Sequence, residues 1–112
     1  LSAVTGVLQV DRGFIAGNAH AWNMTKRLIH EAVEVAHAMG LTADEEAITE
    51  KVKKTSEGSP NGCTSIRADL RDGRKTEVDT ISGSVVRAAK KVNVGGPSHE
   101  LIVEMVHAME DR

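Results

Sequence analysis

At 112 residues the chain makes one domain with one modest core, burying about 65% of its unfolded surface. Hydrophobic residues make up 40% and charged residues 27%, the ordinary balance of a soluble globular protein. A net charge of −2 gives no electrostatic footprint for nucleic acid or an acidic membrane, and Phe14 and Trp22, with no Tyr, offer no stacking platform for single strands. The lone Cys63 excludes an internal disulfide and a Cys-based zinc site, which suits a reducing cytosol, so a cytoplasmic location is expected. No run approaches the roughly 18 apolar residues of a membrane span. Leu1-Ser2-Ala3-Val4 is short and lacks the basic flank of a secretory signal. The chain opens on Leu1 rather than Met, as a processed product, an excised domain or a proteolytic remnant would.

In chain order, the segment from Gly6 to Gly17 reads as a loop. A helix is predicted from about Ala19 to Met39, with Leu28, Ala32, Val35, Ala36 and Met39 on its apolar stripe and Gly40 at its C′ position. Thr42-Ala43-Asp44-Glu45 reads as a capping box opening a second helix to about Glu57. Ser59-Pro60-Asn61-Gly62 is a turn, and a short helix follows from about Cys63 to Asp72. Val78, Ile81, Val85, Ala88, Ala89 and Val92 share one stripe of the most periodic helix, with Thr76 as N-cap and Gly83 marking a close helix crossing. Pro97 starts a last helix with Leu101, Ile102, Met105, Val106 and Met109 on its inner face. No strand is convincing. The expected class is all-α, a compact bundle of five or six helices in one domain, residues 1–112.

Two Glu-x-x-His pairs, Glu34/His37 and Glu104/His107, have the spacing used in dimetal bundles. Both lie roughly 130–170° from the centres of their apolar stripes, so they face solvent and no metal site is expected. His20, His30 and His99 read as surface or helix-end residues. No Gly-x-Gly-x-x-Gly follows a strand and there is no P-loop, so the chain has no dinucleotide-binding fingerprint of its own. Glu77 stands out by placement, in the first turn of the most amphipathic helix, about 65° from the apolar centre. Two readings fit it: a first-turn acid favoured by the helix dipole, or a carboxylate at a cleft rim accepting from a ligand hydroxyl. Ser65, twelve residues earlier, opens a short helix whose free N–H groups suit a carboxylate-bearing ligand.

The run Gly73-Arg74-Lys75-Thr76-Glu77-Val78-Asp79 with Ser82-Gly83 resembles the signature of the C-terminal domain of the ketopantoate reductase (2-dehydropantoate 2-reductase) family. Ser65-Ile66-Arg67-Ala68-Asp69 resembles the family's Ser-Met-x-x-Asp, Leu1-Ser2-Ala3-Val4 the end of its Asn-Pro-Leu-Ser-Ala-Leu, and Pro97 the proline that opens its final helix. The resemblance covers essentially the whole chain. It implies a helical substrate and closure domain like that of 6-phosphogluconate-dehydrogenase-type reductases, joined to an N-terminal Rossmann domain absent from this chain. It further implies an NADPH-dependent reduction of a 2-oxo acid, ketopantoate to pantoate, on the route to pantothenate and coenzyme A. NADPH would be bound mainly by the missing half, with Glu77 on its nicotinamide-ribose side. Ser65 and Asn61 would bind substrate.

The family's proton-donating Lys lies upstream of Leu1, so no catalytic residue is expected in this chain and the domain alone should be inactive. A further substrate Asn of the family falls at Gln9, its Asn-Gly is Ser82-Gly83, and its Pro-x-Asn is Pro97-Ser98-His99. The expected partners are the 2-oxo acid, the Rossmann domain and a homodimer, with neither nucleic acid nor membrane. The alternative is a stand-alone helical association module, which concentration-independent sedimentation as a monomer would remove.

Overall fold

The computed structural model describes residues 2–58, 64–92 and 95–112, and only the backbone of Ser2, Thr80 and Ile81. The turn at 59–62, with Asn61, and Cys63 therefore lie outside the described residues. Seven helices and no strand occur among the described residues: α1 (Ser2–Leu8), α2 (Arg12–Gly17), α3 (Ala19–Ala38), α4 (Glu45–Gly58), α5 (Ser65–Arg71), α6 (Val78–Lys91) and α7 (Pro97–Glu110). The all-α class holds. The excess over five or six comes from the segment read as a loop, which carries the end of α1 and all of α2.

Tertiary contact explains that difference. Gly6 lies inside α1 because the helix presses there against α5: a Cβ on Gly6 would stand 2.5 Å from Ile66 Cγ2. The glycine that looked like a loop marker is the point of closest helix approach. Gln9, at φ +56, then takes the left-handed position past the end of α1, and the Val10 N–H returns to the Thr5 carbonyl at 3.2 Å. Gly40 (φ +81) and Gly73 (φ +73) close α3 and α5 with the same arrangement of bonds, Leu41 to Ala36 and Arg74 to Asp69. Gly40 was legible as a cap; Gln9 was not, because its side chain disguises a position usually held by glycine. Gly83, by contrast, is no crossing point among the described residues. The atoms nearest to a Cβ there, at 3.3 to 3.5 Å, belong to Arg87 and Asp79 of its own helix, so no other helix comes as close as α5 does at Gly6.

Caps shift by one or two residues from expectation. Asp44, not Thr42, accepts from the Ala47 N–H at 3.2 Å and so caps α4. Thr64 caps α5 through the Arg67 N–H. Glu77 occupies the N-cap place of α6 without making a side-chain cap, while Thr76 Oγ1 accepts from the Val78 N–H at 3.3 Å.

The main core joins Ala3, Ile66, Val78, Ile102 and Val106, with Val7, Leu28, Leu70 and Val103 packed against it. A second cluster of Val4, Ile15 and Ala21 seats α2 against α1 and α3. Of the stripe on α6, Val78 and Ala89 are buried and Val85, Ala88 and Val92 half-buried, while the Ile81 side chain lies outside the described residues. On α7 the inner face is turned: His99, Ile102 and Val106 are buried, whereas Leu101 is 62% exposed and Met105 is exposed. On α3, Thr25 and Glu31 are buried and Met39 is exposed.

Candidate functional site

Two short stretches carry the site residues, and each is fixed from beneath. At the start of α5, the hydroxyls of Thr5 and Thr64 meet at 2.6 Å in the interior, across 59 residues of sequence. Ile66, wholly buried, plugs α5 into the core beside Gly6, and Arg67 pairs with Asp11 in the turn before α2. Ser65 stands exposed on this base, as the first residue of α5. At the start of α6, Thr76 donates both its backbone N–H (2.6 Å) and its hydroxyl (2.8 Å) to Glu110 Oε2 near the end of α7. Val78 is wholly buried, and Glu77 between them is exposed.

Ser65 and Glu77 thus precede Ile66 and Val78, two members of one core cluster. Each is an exposed polar residue next in sequence to a buried anchor of that cluster. Glu77 is more exposed than a border position implies. Gln9, where the resemblance puts a substrate Asn, spends its amide on the fold: Nε2 donates to the Gly6 carbonyl at 2.7 Å and the Arg67 carbonyl at 3.4 Å.

The histidines divide. In neither Glu-x-x-His pair do the described contacts join the two partners: Glu34 meets His30 at 2.8 Å, and His37 meets the Ala43 carbonyl at 2.8 Å. His99 is a helix-end residue in the first turn of α7 but not a surface one, being 6% exposed, because its Nε2 reaches the Leu28 carbonyl at 2.7 Å across to α3. His107 bridges two acids, Nε2 to Asp79 Oδ1 at 3.0 Å and Nδ1 to Glu110 Oε1 at 2.6 Å. No group of three or more His, Cys, Asp or Glu that could hold a metal occurs among the described residues. None of the described helices is long and apolar enough to cross a membrane.

Hydrogen bonds to Asp79 and then Glu110 hold the His107 imidazole above its ordinary range. Partial burial pushes the Glu110 carboxyl up, but the Thr76 N–H, His107 and the Thr76 hydroxyl together outweigh it and hold the carboxyl low. The signs set a window. A raised histidine contributes stability that is full below its unfolded value, about 6.5, and lost as pH rises through its folded value. A lowered carboxyl contributes stability that is present above its unfolded value, about 4.3, and lost as pH falls through its folded value. The melting-temperature difference between wild type and His107→Gln should therefore be largest near pH 5–6 and shrink on both sides. A difference flat from pH 4 to 9 would contradict the bridge.

An apolar cleft of about 410 Å³ lies elsewhere, between α3, α4 and α6, with Ile29, Ala32, Ile48 and Val85 in its walls. His99 also lines it, and its Nδ1 is buried with no hydrogen-bond partner among the described residues. Neither Ser65 nor Glu77 borders this cleft.

The family model described as "Ketopantoate reductase PanE/ApbA C terminal" matches residues 1–110. The chain belongs to this family. A 2-dehydropantoate 2-reductase of Streptococcus pyogenes is 32% identical over 111 residues, covering 98% of this chain and 36% of its own. One from Archaeoglobus fulgidus is 24% identical over 110 residues, with the same coverage. The chain thus spans about a third of the length of these curated relatives. Among solved structures, a D-mandelate dehydrogenase with NADH and anilino(oxo)acetate superposes with TM-score 0.92 at 25% identity, over 98% of this chain and 46% of the other. A dimeric ketopantoate reductase from Staphylococcus aureus shares the fold, with TM-score 0.84 at 21% identity over 98% of this chain and 38% of its own.

Proposed function

We propose that this domain is the helical half of a cytoplasmic, NADPH-dependent 2-oxo acid reductase, acting on ketopantoate to give pantoate and joined to an N-terminal Rossmann domain. The observation that supports this most is the pair Ser65 and Glu77, exposed and motif-matched, each backed by a buried anchor of one core cluster. Burial does not require a polar residue at either position, so a ligand at this edge gives both a use.

The donor set fits part of the cofactor. The chain has no glycine-rich phosphate cradle, so the phosphates would be held by the other half. The Glu77 carboxylate makes no helix cap and is exposed, which leaves it able to accept from hydroxyls of the nicotinamide-side ribose. When bound, the nicotinamide supplies hydride to the ketone carbon. Glu77 would fix the ribose and so the approach geometry, and the Ser65 hydroxyl would donate to the substrate at its carboxylate end. Asn61 would join Ser65 in holding the substrate. The general acid would come from outside this domain, so the domain alone would not turn over.

In the full-length protein, Glu77→Ala and Ser65→Ala should each lower kcat/KM for the 2-oxo acid at least tenfold, about 1.4 kcal/mol. Near-wild-type values for both would sink the assignment. A second reading concerns assembly. Met24, Leu101 and Met105 are exposed around a groove between α3 and α7 that reaches Leu28 and Ile102, a surface a second copy would cover. A monomer at every concentration would remove the homodimer.

A further inference from the structure

We propose that Glu110 and His107, at the end of α7, are positioning residues for Glu77, forming a clamp that grips the chain on both sides of it. The proposal rests on the reading of Glu77 as a ligand contact. Glu77 makes no cap of its own, so its placement depends on its neighbours. Before it, Thr76 gives two donors to one oxygen of Glu110, at 2.6 and 2.8 Å. After it, Asp79 meets His107 at 3.0 Å, and the same ring meets the second Glu110 oxygen at 2.6 Å. Thr76, Glu110, His107 and Asp79 thus close a ring of contacts between the start of α6 and the end of α7. Inside that ring lie only Glu77, exposed, and Val78, wholly buried.

Such a ring exceeds what α6 needs in order to start. Exposed ion pairs contribute little to stability, yet here the Glu110 side chain is only 10% exposed and both its oxygens are engaged. Two of its bonds go to Thr76, the residue that sets where the Glu77 backbone begins. A carboxylate that fixes a ribose must be held within a few tenths of an ångström, and an unanchored residue at a helix entrance is not. The clamp supplies that restraint from a helix that carries neither proposed ligand contact.

The test is a double-mutant cycle in the full-length reductase, read as KM for NADPH and KM for the 2-oxo acid. Glu110→Ala should raise KM for NADPH about tenfold, and KM for the 2-oxo acid, held by Ser65 on α5, less than about twofold. Simple loss of folded enzyme lowers apparent kcat and leaves both KM values in place, so this split separates positioning from stability. Glu110→Gln, whose amide oxygen still accepts from Thr76, should retain most of the NADPH affinity. It also keeps the test alive if the alanine variant does not fold. In a Glu77→Ala background, Glu110→Ala should add nothing to KM for NADPH. If Glu77→Ala is impaired while Glu110→Ala keeps the wild-type KM, or adds its full effect in that background, the clamp is overturned and the reading of Glu77 stands. Wild-type kinetics for Glu77→Ala would overturn that reading and the clamp's role with it.

Discussion

Glu31→Ala is expected to destabilise the protein by about 3 kcal/mol, lowering its melting temperature by roughly 10 °C. Glu31 is 9% exposed on α3, and its carboxylate caps the first turn of α7 from a distance of 67 residues in sequence. The Ser98 N–H donates to both oxygens, at 3.0 and 2.9 Å, and the His99 N–H to one of them at 3.1 Å. Ser98 and His99 belong to the turn whose N–H groups have no partner within the helix, and α7 has no side-chain cap of its own. Alanine would leave these donors orphaned beside a buried histidine, and the helix dipole would lose its counter-charge. Glu31→Gln keeps one acceptor for Ser98 and His99 but turns its NH2 group toward the Ser98 N–H, so an intermediate loss is expected. Thermal unfolding of the two variants checks this. A loss below about 0.5 kcal/mol for Glu31→Ala would mean that the carboxylate does not hold α7 in place.

Gly6→Ala comes next, with an expected loss of about 2 kcal/mol and weakened binding of the 2-oxo acid. The added Cβ would lie 2.5 Å from Ile66 Cγ2, 3.3 Å from Ile66 Cβ and 3.4 Å from the Arg67 backbone nitrogen. Ile66 is β-branched, wholly buried and packed in the core, so its methyl has nowhere to swing. α5 must therefore move away from α1, carrying Ser65 with it and stretching the Thr5–Thr64 bond. Gly17→Ala is the control, because a Cβ there meets nothing within 4 Å. Chemical denaturation of the two variants, with KM measured alongside, decides the matter. Equal stability would show that the close crossing relaxes freely.

How far sequence reached into this fold depended on whether a position's partner was local. The stripe of Val78, Val85 and Ala89 and the Gly40 cap depend on contacts a few residues away, and they could be read directly. α2 and the end of α1 could not, because Gly6 and Gln9 take their roles from Ile66 and Arg67, nearly 60 residues on. The turned face of α7 has a similar cause: His99 counts as polar on a helical wheel, yet it is buried through the Leu28 carbonyl. Glu31 left a signal that went unused, a carboxylate three residues after Leu28 and four before Val35, on the apolar face itself. At the candidate site, Glu77 stood out by its placement in the first turn of an amphipathic helix and Ser65 by opening a short one, while their roles came from family resemblance. Glu110 had no motif to mark it, since its meaning lies in Thr76, across 34 residues.

The Thr5–Thr64 and Glu31–Ser98 bonds interlock along the chain, since the second begins between the ends of the first and finishes beyond it. Helical domains of this size often assemble quickly from contacts between neighbours in sequence. Here two wide loops must close, and the second waits for the last helix to be made. During synthesis, α3 would leave the ribosome with a bare carboxylate on its apolar side, and that side would stay unsettled until almost the whole domain had emerged. For the same reason no cut between residues 31 and 64 yields two self-sufficient halves, because each piece would keep one partner of both bonds.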